Sequence, residues 1–155
     1  MAGINLLKEN RRERIFRYAP LVLWIGVIFF ASTMLGSMSN TSRFIRPLLI
    51  FLFPNAPEET LVIYHVYIRK FAHFAEYAIL AFFAARAVSG SSVKILQKFW
   101  FVFAFVLVVL VASIDETNQS FNSTRTGSMT DVLLDCSGGL TMIIFFYIYR
   151  LRKNI

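Results

Sequence analysis

Four stretches of this chain are apolar for about the thickness of a bilayer, and nothing else in the sequence restricts its fold as strongly. A helix rising about 1.5 Å per residue needs about 20 residues to cross the hydrocarbon core. The stretches at 18–38, 66–88, 95–113 and 131–149 reach that length. In lipid the backbone satisfies its polar groups only in helices or closed barrels, and continuous apolarity selects helices. The sequence therefore predicts an all-α integral membrane four-helix bundle. Pro20 is expected in the first turn of span one, where a missing N–H costs nothing. A fifth apolar stretch, 44–53, is too short to span. Arg43, Arg46 and Pro47 stand at its head and Pro54 closes it, which predicts a short interfacial or re-entrant segment between spans one and two.

Composition agrees with burial in lipid rather than a soluble core. The chain is 57% hydrophobic and 16% charged, has 17 phenylalanines and a mean hydropathy of +0.60. Its net charge of +7 comes without a basic run interleaved with aromatics, so no nucleic acid is expected as a partner. Cys136 is the single cysteine, which excludes an intramolecular disulfide and leaves the redox compartment open.

The basic residues predict topology. Lys8, Arg11, Arg12, Arg14 and Arg17 precede span one, Arg86, Lys94 and Lys98 flank the second connection, and Arg150, Arg152 and Lys153 follow span four. With four spans these eleven share one side, against Arg43, Arg46, Arg69, Lys70 and Arg125 on the other. The positive-inside rule then predicts a multi-pass protein with both termini cytoplasmic. The chain divides into a basic cytoplasmic arm at 1–17, a membrane domain at 18–149 and a basic tail at 150–155. The arm contains Glu9 and Glu13 and the first apolar run is long, so a retained span is favoured over a signal peptide. The arm is expected to attach electrostatically to anionic inner-leaflet lipids. Sequons at Asn40, Asn118 and Asn122 fall on the external side.

Seven of the nine acids also fall on that external side, most of them within or beside spans. Arg69, Lys70, His73 and Glu76 lie at the head of span two, Asp115, Glu116 and Gln119 at the end of span three, and Asp131 and Asp135 at the head of span four. Each ionised group facing lipid costs about 3 kcal/mol, so these groups are expected to face one another. His65, Arg69, His73 and Glu76 recur at helical spacing and share a face. Helix rise places Glu76, His73 and Arg69 about 15, 20 and 25 Å beyond Arg86, with Asp115, Asp135 and Asp131 at about 22–28 Å from their own basic ends. Three helices thus bring acids, a histidine and cations to one outer depth. Gly138 and Gly139, a turn below Asp135, predict close helix packing. The loop at 120–130, rich in Ser, Thr, Asn and Gly, predicts a lid with Arg125 at its centre.

The structural alternative is hydrogen-bonding glue between helices, worth about 1 kcal/mol per pair or less. The chemical reading assigns catalysis to His73, Glu76, Asp115 and Glu116. His73 serves as general acid, base or nucleophile and the acids orient it or shuttle protons. Arg69, Lys70, Gln119, Arg125, Asp131 and Asp135 are the candidate substrate-binding residues, the arginines offering forks for phosphate or carboxylate. No HExxH-like pattern is present, so no metal ligand set is assigned and the cofactor stays unspecified, with oxygen chelation by the acids as the minority alternative.

Two motifs carry a resemblance. Arg69-Lys70-x-x-His73-x-x-Glu76-Tyr77 heads a span, and Asp115-Glu116-x-x-Gln119-x-Phe121 is followed by Arg125 and then Asp131-Val132-x-x-Asp135-x-x-Gly138. In order and spacing they resemble the VanZ-like family of small bacterial membrane proteins, over about Tyr18 to Tyr149. Asp135 departs from the family's usual Asn, and Met142 stands where a second glycine is common. The resemblance implies a cell-envelope protein, an association with resistance to glycopeptide antibiotics such as teicoplanin, and action on lipid headgroups. Three functions follow as expectations. The first is a transferase or hydrolase acting on phospholipid headgroups or lipid-linked phosphates. The second is a non-enzymatic binder of a lipid-linked wall precursor or glycopeptide antibiotic. The third is a proton-coupled lipid transporter, for which a homodimer would supply the pathway.

Overall fold

The computed structural model describes residues 11–33, 38–121 and 127–153. Helix makes up 89% of the described residues, and no strand forms among them. Six helices run in order: α1 (Arg11–Ala31), α2 (Met38–Leu52), α3 (Glu58–Ser89), α4 (Lys94–Lys98), α5 (Trp100–Ser120) and α6 (Met129–Lys153). Four of them, α1, α3, α5 and α6, are long and apolar enough to cross a membrane. Their outward faces carry the large apolar side chains, with Phe30 66% and Phe145 67% exposed, as a lipid-facing surface requires.

Helix α3 is the axis of the bundle. It packs against α1, α2, α5 and α6, and its contact with α6 is the most extensive. Ala81, Ala84, Ala85 and Ala87 are fully buried along it, because small side chains let helix backbones approach where lipid offers no hydrophobic drive. Ile28, Tyr77, Leu80 and Val108 complete the core. At 32 residues α3 is about 48 Å long, well beyond the hydrocarbon thickness. Its first turns carry α2, whose 15 residues give about 22 Å and cannot span. Thr41 Oγ1 lies 3.1 Å from His65 Nε2, and Arg46 makes a two-pronged pair with Glu58 at 2.9 and 3.0 Å. The Glu58 carboxylate, through that hydrogen bond and its charge, holds the Arg46 guanidinium above its ordinary value.

The boundaries differ from the apolar stretches in instructive ways. Helix α1 begins well before residue 18, so Pro20 lies in its interior rather than its first turn. An interior proline leaves the carbonyl four residues back without its donor. Here that carbonyl belongs to Phe16, and Arg86 Nη1 of α3 donates to it at 3.3 Å. Helix α1 stops at Ala31, short of residue 38, and the Phe30 carbonyl accepts from both the Thr33 N–H at 3.2 Å and Thr33 Oγ1 at 2.7 Å. Helix α5 starts five residues after the apolar stretch and ends seven after it. Asp115, Glu116 and Gln119 are therefore helical, in the last two turns of α5, rather than beyond its end.

Candidate functional site

The end of the bundle opposite the terminal basic clusters gathers the polar side chains. Asp115 of α5 is 1% exposed and serves as a hub. The Ser32 hydroxyl, at the end of α1, donates to its Oδ1. Tyr77 Oη of α3 donates to Oδ2 at 3.2 Å, and Gln119 Nε2 donates to the same oxygen at 3.0 Å. One carboxylate thus ties three helices together. Trp24 Nε1 adds a bond from α1 to the Glu76 carbonyl at 3.0 Å, which fixes the α1–α3 register beside the hub.

The reactive part lies between α3, α5 and α6. His73 Nδ1 sits 3.7 Å from Asp135 Oδ1; the imidazole is 20% exposed and the carboxylate is fully buried. Glu116 of α5 joins them, and one donor atom from each of His73, Glu116 and Asp135 lies within 4.8 Å of the others. The Ser128 N–H, just before α6, donates to Glu116 Oε2 at 3.0 Å and orients that carboxylate. A cleft of about 260 Å³ between α5 and the start of α6 has Glu116, Ser120 and Ser128 on its walls, so the Glu116 side of the cluster borders an opening to the exterior. Lys70 Nζ pairs with Asp131 Oδ1 at 3.1 Å, and Ser128 Oγ donates to Asp131 Oδ2 at 2.7 Å. Arg69 lies half-buried one turn from His73.

The close approach that makes this possible rests on two glycines of α6. A side chain at Gly138 would run into the Phe74 backbone of α3, and one at Gly139 would come within 2.7 Å of Val108 Cγ1 of α5. The predicted glycine packing is present, and it brings Asp135 against His73.

The sequence expectations map onto this geometry unevenly. His73, Glu116 and Asp135 form one cluster, Asp115 and Gln119 form the hub, and Lys70 and Asp131 form a pair at the rim. Glu76 lies on the same face of α3, one turn further in. Arg125, and with it most of the expected lid, lies outside the described residues. Ser32 and Ser128 were not singled out from the sequence. Tyr77 was quoted in a motif without a role. A polar residue at the end of an apolar run, and a tyrosine one position from an intramembrane acid, are the signals that pointed to the first and last.

The profile of the VanZ/LLP1 family matches residues 18–150, most of the chain. The chain belongs to the VanZ/LLP1 family. No curated protein and no solved structure matched in the corresponding comparisons. As a VanZ-type membrane protein it falls in a family of the teicoplanin-resistance type. The two motifs quoted for that resemblance are the segments that supply the hub, the cluster and the rim pair.

Proposed function

We propose that this VanZ/LLP1 member is an intramembrane enzyme that transfers or hydrolyses phosphate esters of lipid headgroups at the outer face of the bacterial cell membrane. The observation that carries the reading is the His73 imidazole. It is partly exposed, backed by a fully buried acid at 3.7 Å, and set in a bundle that is otherwise apolar. An imidazole so placed is reachable by substrate and held by the fold, which is what proton transfer to a reacting group requires. Orientation follows from charge: eleven cations at the basic side against five at the other put both termini in the cytoplasm and the cluster outward. At that depth a headgroup phosphate meets the cluster while its acyl chains stay in hydrocarbon.

Arg69 and Lys70 supply positive charge for the phosphate. An attacking water or alcohol gives its proton to the cluster of His73, Glu116 and Asp135. Its oxygen bonds to phosphorus, the ester P–O bond breaks, and the leaving oxygen takes up a proton from the same cluster. Glu76 shuttles protons along the α3 face. Asp115 and Gln119 hold α1, α3 and α5 in register and act as positioning residues.

A second reading is binding without turnover, of a lipid-linked wall precursor or a glycopeptide antibiotic, and the family's teicoplanin association favours it. Lipid mass spectrometry on membranes carrying wild type, His73→Ala or Glu76→Gln at matched levels separates the two. A headgroup change is expected with wild type only, with product falling by about 10²-fold or more in the variants. Unchanged lipids in all three, with an antibiotic or envelope phenotype that still needs these residues, would replace the enzyme by the binder.

A further inference from the structure

Asp135 is the anomaly of the polar end. It is fully buried in α6, and neither carboxylate oxygen accepts a hydrogen bond from the described residues. Its neighbours are served: Asp115 by three donors, Glu116 by the Ser128 N–H, Asp131 by Lys70 and Ser128. A buried carboxylate without donors is costly unless it holds a proton or faces a cation. Among the described residues, His73 of α3 is the one side chain of basic type within ion-pair distance of Asp135. The group facing it from α5 is another acid, Glu116. Among the described residues the wider cluster has five acids (Glu76, Asp115, Glu116, Asp131, Asp135) beside Arg69 and Lys70, and Lys70 is engaged by Asp131.

We propose that His73, Glu116 and Asp135 bind one divalent transition-metal cation. One imidazole nitrogen and two carboxylate oxygens form a borderline donor set that suits Zn²⁺ first and Mn²⁺ or Fe²⁺ next, and poorly suits Ca²⁺ or Mg²⁺. The three donors come from three helices and lie within 4.8 Å of one another. A tetrahedral ion with bonds of about 2.1 Å holds its ligands about 3.4 Å apart, so each side chain closes by less than about 1 Å. The Ser128 N–H on Glu116 Oε2 is the kind of outer contact that orients a ligating carboxylate. Three protein ligands with a partly exposed imidazole leave a coordination position toward the exterior, the arrangement of reactive rather than structural sites. The inference rests on the same cluster as the proposed function and names what the cluster holds. A bound cation would polarise a phosphate oxygen, and His73, as its ligand, would give up proton transfer to Glu76 on the same face of α3.

The test is metal content, which needs no substrate. Protein freed of any histidine tag, stripped with chelator in detergent and equilibrated with Zn²⁺ or Mn²⁺ alone, is expected to retain about one ion per chain by elemental mass spectrometry. Affinity should fall by about 100-fold or more in Asp135→Asn and in His73→Gln, and stay unchanged in Glu58→Gln. His73 is partly exposed, so its variant carries the test if Asp135→Asn does not fold. Wild type retaining well under one ion, or an ion that survives both substitutions, would overturn the site. So would an infrared band of a protonated carboxyl in metal-equilibrated wild type that Asp135→Asn removes. Lipid turnover without bound metal would leave the enzyme standing and remove the ion, whereas bound metal with unchanged lipids would do the reverse.

Discussion

Asp115→Ala is expected to destabilise the bundle by about 2–4 kcal/mol. The substitution leaves the Ser32 hydroxyl, Tyr77 Oη and Gln119 Nε2 without their shared acceptor. Stranded buried donors cost about 1–3 kcal/mol each in soluble proteins. Measured couplings between membrane helices average only about 0.6 kcal/mol. Over three donors the scales bracket the answer at about 2 and about 9 kcal/mol, and one local detail favours the low end. Gln119 Nε2 already reaches Ser32 Oγ at 3.3 Å, so two of the three groups can serve each other. Tyr77 is left with no such recourse. Asp115→Asn keeps one acceptor oxygen and should cost about half as much, and Tyr77→Phe less than about 1 kcal/mol. Reversible unfolding in mixed detergent micelles ranks the three. An alanine variant as stable as wild type would mean that the hub holds nothing together.

Gly138→Ala should cost about 3 kcal/mol and also separate His73 from Asp135. The added carbon would meet the carbonyl oxygen, carbon and Cα of Phe74, which are main-chain atoms of α3. No rotamer relieves a contact with main chain, so α3 and α6 must part along the largest interface in the bundle. Neighbouring glycines supply the controls. Gly139→Ala would meet only the Val108 side chain, at 2.7 and 3.1 Å, and should cost about 1 kcal/mol as that side chain shifts. Gly26 of α1 has nothing within 4 Å, so Gly26→Ala should be neutral or stabilising by up to about 1 kcal/mol through helix propensity. The same unfolding assay reads all three. Equal effects at the three positions would contradict the packing account.

Span number and the face of α3 were legible because both depend on one-dimensional quantities, apolar length and spacing. His65, Arg69, His73 and Glu76 need only helical periodicity to fall on one side. Helix ends were less legible. Apolar length reports how much chain lies in lipid, not where hydrogen bonding stops, so the tail of α5 reads as a terminus although its polar residues are helical and buried. The extension of α1 past Pro20 depends on Arg86, some seventy residues away, donating to Phe16. Pairing partners were the least legible. Ser32 lies 83 residues from Asp115, and no local pattern joins them.

The Asp115 hub also constrains how the chain is made. Ser32, just past the end of α1, and Tyr77 of α3 are both synthesised well before Asp115. Helix α5 is apolar over most of its length, yet entering lipid by itself it would carry two carboxylates and a carboxamide at its outer end, at about 3 kcal/mol for each ionised group held in hydrocarbon. The cost vanishes only if α1 and α3 are still at hand when α5 arrives. Asp135 then repeats the demand for α6, which needs α3 and α5 already paired. The expected consequence is concerted biogenesis, in which the early helices would stay beside the translocation channel until the last has been delivered.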